Sequence, residues 1–448
     1  MERRTFWTIL AALALLRLAL MATVPVFEPS EARYAAISAN MARSGDFVVP
    51  RFTHDLEYQS FDGKPPLVFQ AGGLFCRALG VSEFAVRLFP FLSAALLLLI
   101  LHSSVTRRAD AATGRLAVII CATSTAFLAA AGISMTDMTL ACCVAGALLL
   151  YRDFLDGFAW RHAAGVAALL GAGMITKGPV ALALFGLPVL ADAILNHRAR
   201  GILNVRWLAV APIFLLVAVP WFVLVEQRNP GSVWYFFYNE NFMRFISHDY
   251  GDKYGAGREA FRGVSIVWAF VVTLPWAPVV VGKLWSCGVE RLRSWRFWKE
   301  LPGRALRTMR ESFEWLAFAV IVGFWCLTSR VLLYYLFPVI ALFAAAMALR
   351  GNRARLVRLA PFAAGISAAV VAGALIGGAF LSDRMLGVRT PLSPVENHYA
   401  YEFYHGRPTD EMLAPYRKAR ALYLEQRAAR HAAAARRAGG GDGKAVAP

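Results

Sequence analysis

The amino-acid sequence predicts an all-α membrane protein of about eleven transmembrane helices. Three observations carry this. Hydrophobic residues fill 58% of the 448 positions, apolar runs recur as far as Leu381, and Arg and Lys collect in alternate loops between those runs. An ordinary soluble domain is only about 45–50% apolar, and mean hydropathy here is +0.50. Runs of roughly 20 apolar residues match the thickness of a bilayer, where backbone amides must be satisfied within helices.

The first run, residues 5–26, follows Arg3 and Arg4 and lacks a small-residue cleavage site, so it reads as a retained signal anchor. Basic groups at Arg107, Arg108 and Arg115, Arg152 and Arg161, Arg198 to Arg206, Lys283 to Arg310, and Arg350 to Arg358 mark cytoplasmic loops by the positive-inside rule. With these as fixed points, further spans fall near 88–106, 116–133, 138–151, 163–176, 179–195, 207–225, 262–282, 314–328, 331–349 and 357–381. The stretch from Pro65 to Gly80 is also apolar, but a span there would export every later Arg-rich loop. It is therefore expected as a helix on the outer surface. The membrane domain thus covers 1–381, with outer loops at 27–87 and 226–261, and the short tail 382–448 lies outside and is partly disordered, its end from about Ala428 a short helix fading into disorder.

The formal charge of +18 invites comparison with nucleic-acid binders. The basic residues instead fall in short loop segments with no basic face, so nucleic acid is excluded as a partner and membrane lipid is expected. Six cysteines sit without the spacing of a disulfide framework or a zinc site, and no metal ligands are assigned.

On the outer side the topology gathers Glu28, Glu31, Arg33, Lys64, Arg87, Asp137, Lys177, a polar cluster from Glu226 to Arg258, and Arg330. Charge at membrane depth is costly, so acids and bases meeting on one side suggest a shared polar cavity. Each residue also has a plainer reading. Ser30 can cap a helix ended by Gly45, with Glu31 complementing its dipole and Tyr34, Ile37 and Met41 on one face. Lys64 can hold a phosphate or snorkel to the interface. Arg87 reads as an interfacial anchor, Asp137 as a helix cap, and Lys177-Gly178-Pro179 as a tight turn. The aromatic run Trp234 to Tyr238 reads as an interfacial belt before a sugar platform.

The order EPSEARYAAISANMARSGDFVVP (28–50), FDGKPPL (61–67), LGVSEFAVRLFP (79–90), MTDMTL (135–140), MITKGPVALAL (174–184), PWFVLVEQRNPG (220–231), FYNENFMRF (237–245) and SRVLLYYLFP (329–338) resembles the bacterial aminoarabinose transferase family. Those enzymes are related to the protein O-mannosyltransferases, polytopic glycosyltransferases that use polyprenyl-phosphate sugars. The resemblance spans about residues 5–350 and implies the C-type glycosyltransferase architecture, in the bacterial inner membrane, with the site at the periplasmic face. It implies Glu31 and Asp137 as catalytic carboxylates. Glu28, Arg33, Tyr34, Lys64, Arg87, Lys177, Glu240, Arg244 and Arg330 are implied substrate-binding groups. Partners would be a polyprenyl-phosphate sugar donor and a lipid or glycan acceptor, such as lipid A.

Some positions depart from the family pattern. Ser30 replaces the Asp before the first-loop Glu, and Gly63 and Asn241 replace a Glu and a His thought to bind a metal, so a divalent metal is optional here, with Asp62 and His248 nearby in sequence. Val331 to Leu333 replace the usual Ser-Lys-Leu stretch, and the C-terminal region is short. The implied chemistry is an inverting displacement at the anomeric carbon, with a cationic cluster holding the departing phosphate and a carboxylate as base for a hydroxyl acceptor. A lipid-linked sugar transporter or flippase, or a non-catalytic subunit of a glycan complex, would share the span count and is distinguished by whether a glycosidic product forms.

Overall fold

The computed structural model describes residues 1–54, 56–243, 254, 259–285, 295–381, 398–419, 421 and 425. In chain order come α1 (Arg3–Thr23), α2 (Ser30–Ser44), strands β1 (Arg51–His54) and β2 (Glu57–Ser60), then α3 (Leu67–Leu79), α4 (Glu83–Arg108), α5 (Ala111–Ala122), α6 (Thr125–Ala130), α7 (Thr136–Leu155), α8 (Trp160–Lys177) and α9 (Val180–Leu195). Later helices run Arg206–Arg228, Val264–Val272, Ala277–Trp285, Trp295–Glu311, Phe313–Cys326, Phe337–Arg350, Arg353–Leu381 and His398–His405. Among the described residues, six helices are long and apolar enough to cross a membrane: Arg3–Thr23, Glu83–Arg108, Thr136–Leu155, Arg206–Arg228, Leu333–Arg350 and Arg353–Phe380. The chain is thus a multi-pass helical membrane protein.

The axis of the bundle is α7, buried along most of its length and packed against α4, α8, α9 and Phe337–Arg350. Two runs expected as single spans are broken. Residues 116–133 divide into α5 and α6 at Thr123 and Ser124, whose hydroxyls bond back to the carbonyls of Ile119 and Ile120. Residues 262–282 divide between Val264–Val272 and Ala277–Trp285. The two breaks face each other: Thr125 N–H donates to Leu274 O at 2.9 Å and Trp276 Nε1 donates to Thr123 Oγ1 at 2.9 Å. Ser367 Oγ closes the third side by donating to Thr123 O at 2.6 Å. Irregular backbone inside a bundle survives only when protein groups satisfy it in this way.

The Arg-rich loops share one end of the bundle. Arg115 donates to the Met1 carbonyl, Arg353 lies 3.2 Å from Asp110, and Arg350 lies 3.2 Å from Glu311.

At the other end a separate layer is built from α2, α3, the hairpin and His398–His405, with a core that includes Ile37, Phe52, Phe61, Phe69, Tyr399 and Phe403. The expected surface helix is present as α3, whose 13 residues rise only about 20 Å, short of the roughly 30 Å hydrocarbon core. Gly45, at φ +74°, ends α2 as expected, but Ser30 does not cap it. Pro29 occupies the cap position and Ser30 is already helical.

Two features of this layer differ from the sequence reading. β1 and β2 form an antiparallel hairpin, Arg51 opposite Ser60 and His54 opposite Glu57. The C-terminal region also contributes helices at 398–405 and 410–419, in a tail expected to be partly disordered. Residues 382–397 and 426–448 of the expected tail lie outside the described residues.

Candidate active site

Four segments far apart in sequence meet in a narrow, open cleft at the boundary between the bundle and the outer layer. Its charged walls are Lys64, Lys177, Glu240 and Arg330, with Asn241 and Tyr335 beside them. Lys64 sits in the turn between the hairpin and α3, where Pro65 and Pro66 stiffen the chain before the helix. Its ammonium donates to Gly63 O at 2.6 Å and stands 3.4 Å from Glu240 Oε2. Glu240 is carried by a π-helical turn, Tyr235–Met243, and its side chain is buried.

Lys177 is the last residue of α8. Its ammonium pairs with Asp137, in the first turn of α7, and lies 4.2 Å from the centre of the Tyr335 ring. Gly178 permits this placement. It turns the chain at φ +84°, and a Cβ there would fall 2.4 Å from Phe236 Cζ of the π-helical turn. Arg330 contacts Glu259 at 3.4 Å. Tyr34 lies alongside, its ring between Phe61 and Phe69 at 6.1 and 5.1 Å. Burial raises its phenol above the usual range, and the charges of Arg33, Asp137 and Glu240 reach it.

Glu31 and Arg87 are brought together, but not in the cleft. Each side chain is only 2% exposed. Glu31 Oε1 accepts from Arg87 Nε at 2.8 Å and Ser134 N–H at 3.0 Å, while Oε2 accepts from Arg87 Nη2 and Phe27 N–H, both at 3.0 Å. Burial opposes ionisation of Glu31, yet the Arg87 guanidinium outweighs it and holds the carboxyl below its ordinary value. Arg87 also donates to the carbonyls of Met21, Val24 and Pro25. The interfacial anchor read from the sequence is therefore corrected: the pair fastens the end of α1, the start of α2 and the loop before α7 into one unit, because a buried cation needs a matched partner.

Glu28 and Arg33 face His398–His405. Ala400 N–H donates to Glu28 Oε1 at 2.7 Å, and the Arg33 guanidinium lies 4.9 Å above the Tyr399 ring. Burial pushes the Glu28 carboxyl up to about 7, against the pull of the Ala400 amide and Arg33.

Arg244, and His248 beyond it, lie outside the described residues. Among the described residues no three His, Cys, Asp or Glu side chains are grouped to hold a metal ion.

The sequence reading named Asp62 only as an acid near an optional metal, and it missed Glu402. Asp62 accepts from Asn229 Nδ2 at 3.1 Å and Ser232 Oγ at 2.9 Å, tying the Lys64 turn to the segment that follows Arg206–Arg228. Glu402 is fully buried and accepts from Asn40 Nδ2 at 2.7 Å and Thr53 N–H at 2.8 Å. The pattern Tyr399, Ala400, Phe403, closed by Gly406 at φ +89°, was the available signal for this helix. The aromatic run divides: Tyr235 and Phe236 are buried, whereas Trp234 is 67% exposed.

Residues 63–223 match the family model of dolichyl-phosphate-mannose-protein mannosyltransferases. The chain is 29% identical over 299 residues to the undecaprenyl phosphate-alpha-4-amino-4-deoxy-L-arabinose arabinosyl transferase of Yersinia pestis, covering 63% of this chain and 50% of that protein. It is 30% identical over 271 residues to the protein of the same name from Pectobacterium atrosepticum, covering 59% and 47%. The chain thus spans about half the length of the curated relatives it matches. Its fold is similar to the crystal structure of ArnT from Cupriavidus metallidurans bound to undecaprenyl phosphate, with a TM-score of 0.65 at 23% identity over 91% of this chain and 76% of that one. The apo form of the same protein gives 0.61 at 21% identity, over 90% and 69%. The resemblance carried by the ordered motifs is therefore present in both sequence and fold.

Proposed function

We propose that this chain is a bacterial inner-membrane glycosyltransferase that moves a sugar from a polyprenyl-phosphate carrier to an envelope acceptor at the periplasmic face. One observation carries the reading: Lys64, Lys177, Glu240 and Arg330, chosen from separate motifs, line a single cleft. The relatives' names add the carrier and, as one candidate, an aminoarabinose unit.

The membrane domain is read as residues 1–381 with about eleven spans, the six long helices completed by α5 with α6, by α8, by α9, by Val264–Val272 with Ala277–Trp285, and by Phe313–Cys326, with α3 left in the outer layer. The packing of His398–His405 on α2 supports an odd number, since it keeps the region after the last span on the side of the first outer loop. The grouping of the basic loops at the opposite end supports a cytoplasmic assignment for them.

The donor's apolar tail stays in lipid and its phosphate enters the cleft among Lys64, Lys177 and Arg330. Asp137 fixes Lys177 in position. An acceptor oxygen attacks the anomeric carbon from the face opposite the phosphate. The bond from that carbon to the phosphate oxygen breaks, its electron pair leaves with the carrier phosphate, and configuration inverts. Cations already in place around the departing anion lower the barrier without having to reorganise.

A phosphate acceptor is already ionised and needs no base. A hydroxyl acceptor must lose its proton, and Glu31 is occupied by Arg87 and two backbone amides. Asp137 and Glu240 each face a lysine, but Asp137 is the more closely paired and does not line the cleft, so Glu240, on the cleft wall and 3.4 Å from Lys64, is the base in that case, while Glu31 and Arg87 position the framework. Glu28, Arg33 and Tyr34 shape the rim toward the acceptor.

The test uses the purified chain in lipid vesicles with a labelled polyprenyl-phosphate sugar and envelope lipid extract. Transfer by wild type, lost per folded molecule in Lys64→Ala and Lys177→Ala, supports the proposal. Donor crossing the vesicle without a glycosidic product would identify a transporter and refute it.

A further inference from the structure

A second cavity lies apart from the cleft, on the wall formed by α1, α4, α5 and α6. It is an open groove whose lining is apolar except for Arg17 and His102. It opens on the lipid-facing side, where Trp7 is 55% and Leu99 68% exposed. Arg17 stands six residues before the end of α1, about 9 Å along the helix axis and inside the hydrocarbon layer.

Arg17 is only 3% exposed, and its bonding is incomplete. Nη2 donates to Ala129 O at 2.9 Å, while the buried Nε has no hydrogen-bond partner. The charges acting on it are Arg87 and Glu31, and Glu31 is already matched by Arg87. The three groups leave one positive charge uncompensated at membrane depth. Such a charge is costly there unless an anion or a water-filled cavity meets it.

We propose that this groove binds one anionic phospholipid, its phosphodiester on Arg17 and an acyl chain laid along Leu10, Leu13 and Leu98. The charges match, since a phosphodiester supplies one negative charge against the single excess positive one. A free carrier phosphate, a monoester, brings about −1.5 to −2. A sugar-bearing donor would need hydroxyl partners, which a lining apolar but for Arg17 and His102 does not offer. The length fits as well. From Arg17 to Trp7 the groove follows ten residues of α1, about 15 Å, half of a roughly 30 Å hydrocarbon core and so the reach of one acyl chain.

The experiment is native mass spectrometry of the delipidated full chain with added phosphatidylglycerol, phosphatidylcholine or undecaprenyl phosphate. It reads lipid retention and is independent of any transfer activity. Wild type is expected to retain one phosphatidylglycerol, about tenfold in preference to phosphatidylcholine. Arg17→Lys keeps the preference and Arg17→Gln abolishes it. Ala95→Trp, which fills the groove and leaves the charge in place, lowers retention of both phospholipids. Equal retention of the two phospholipids by wild type, a preference surviving in Arg17→Gln, undiminished retention in Ala95→Trp, or selection of undecaprenyl phosphate would overturn the assignment.

Discussion

Substituting Glu31 by Gln separates a structural from a chemical role for this carboxylate. The carboxylate takes four hydrogen bonds, two from Arg87 and one each from the Ser134 and Phe27 amides. A Gln whose oxygen sits at the Oε1 position keeps two of them and turns its NH₂ toward Arg87 Nη2 and the Phe27 N–H. Two donor pairs then face each other and the Arg87 charge is left alone. Removing one partner of a buried pair costs about 3–5 kcal/mol, a substantial share of the roughly 5–15 kcal/mol that holds a domain folded. Thermal unfolding in detergent should therefore show Glu31→Gln strongly destabilised. Arg87→Met should lose a similar amount, and the double variant should lose less than the sum, because no lone buried charge remains. Transfer per folded molecule should stay within about tenfold of wild type, well short of the 10²–10⁴-fold that a general base contributes. Wild-type stability combined with a loss of that size would refute the argument and restore Glu31 as the base.

Other outcomes follow from the same geometry. Lys177→Ala removes a cation and frees Asp137; transfer in the vesicle assay should fall by about 10²-fold or more, with KM for the donor raised. Gly178→Ala forces a side chain into the left-handed region and against Phe236; a loss of about 1–3 kcal/mol should appear in thermal unfolding. Glu28, ordinarily 4.5 and raised to about 7, binds its proton more tightly folded than unfolded. Its contribution is fully present below pH 4.5 and is lost as pH rises through about 7. The wild-type melting temperature relative to Glu28→Gln should accordingly fall between pH 5 and 8, and a flat difference would contradict it.

Much of the cleft was legible because ionisable residues are rare in apolar sequence and each is conspicuous. Lys64, Lys177 and Arg330 could be chosen on that basis, together with their common side of the membrane. What could not be read was pairing. Arg87 at the start of a span looks like an anchor, and only folding reveals that its partner, 56 residues earlier, is Glu31. The hairpin was missed because Arg51–His54 and Glu57–Ser60 are four residues each and carry polar side chains in an irregular order. His398–His405 was missed for a related reason. Eight residues rich in tyrosine and histidine carry little hydropathy, and the helix is stable through Asn40, Arg43 and Thr53, which no local pattern connects to it. The broken spans were read as continuous because hydropathy does not register Thr123 and Ser124 as a break.

The docking of His398–His405 also bears on the order in which the molecule is made. Glu402 bonds to Asn40 across 362 positions, so the outer layer holds an unfilled seat while every intervening span is synthesised and inserted. Contacts of such long sequence separation form late, after the chain between them has been ordered. The outer layer, which carries the turn with Lys64, therefore completes its packing only at the close of biogenesis.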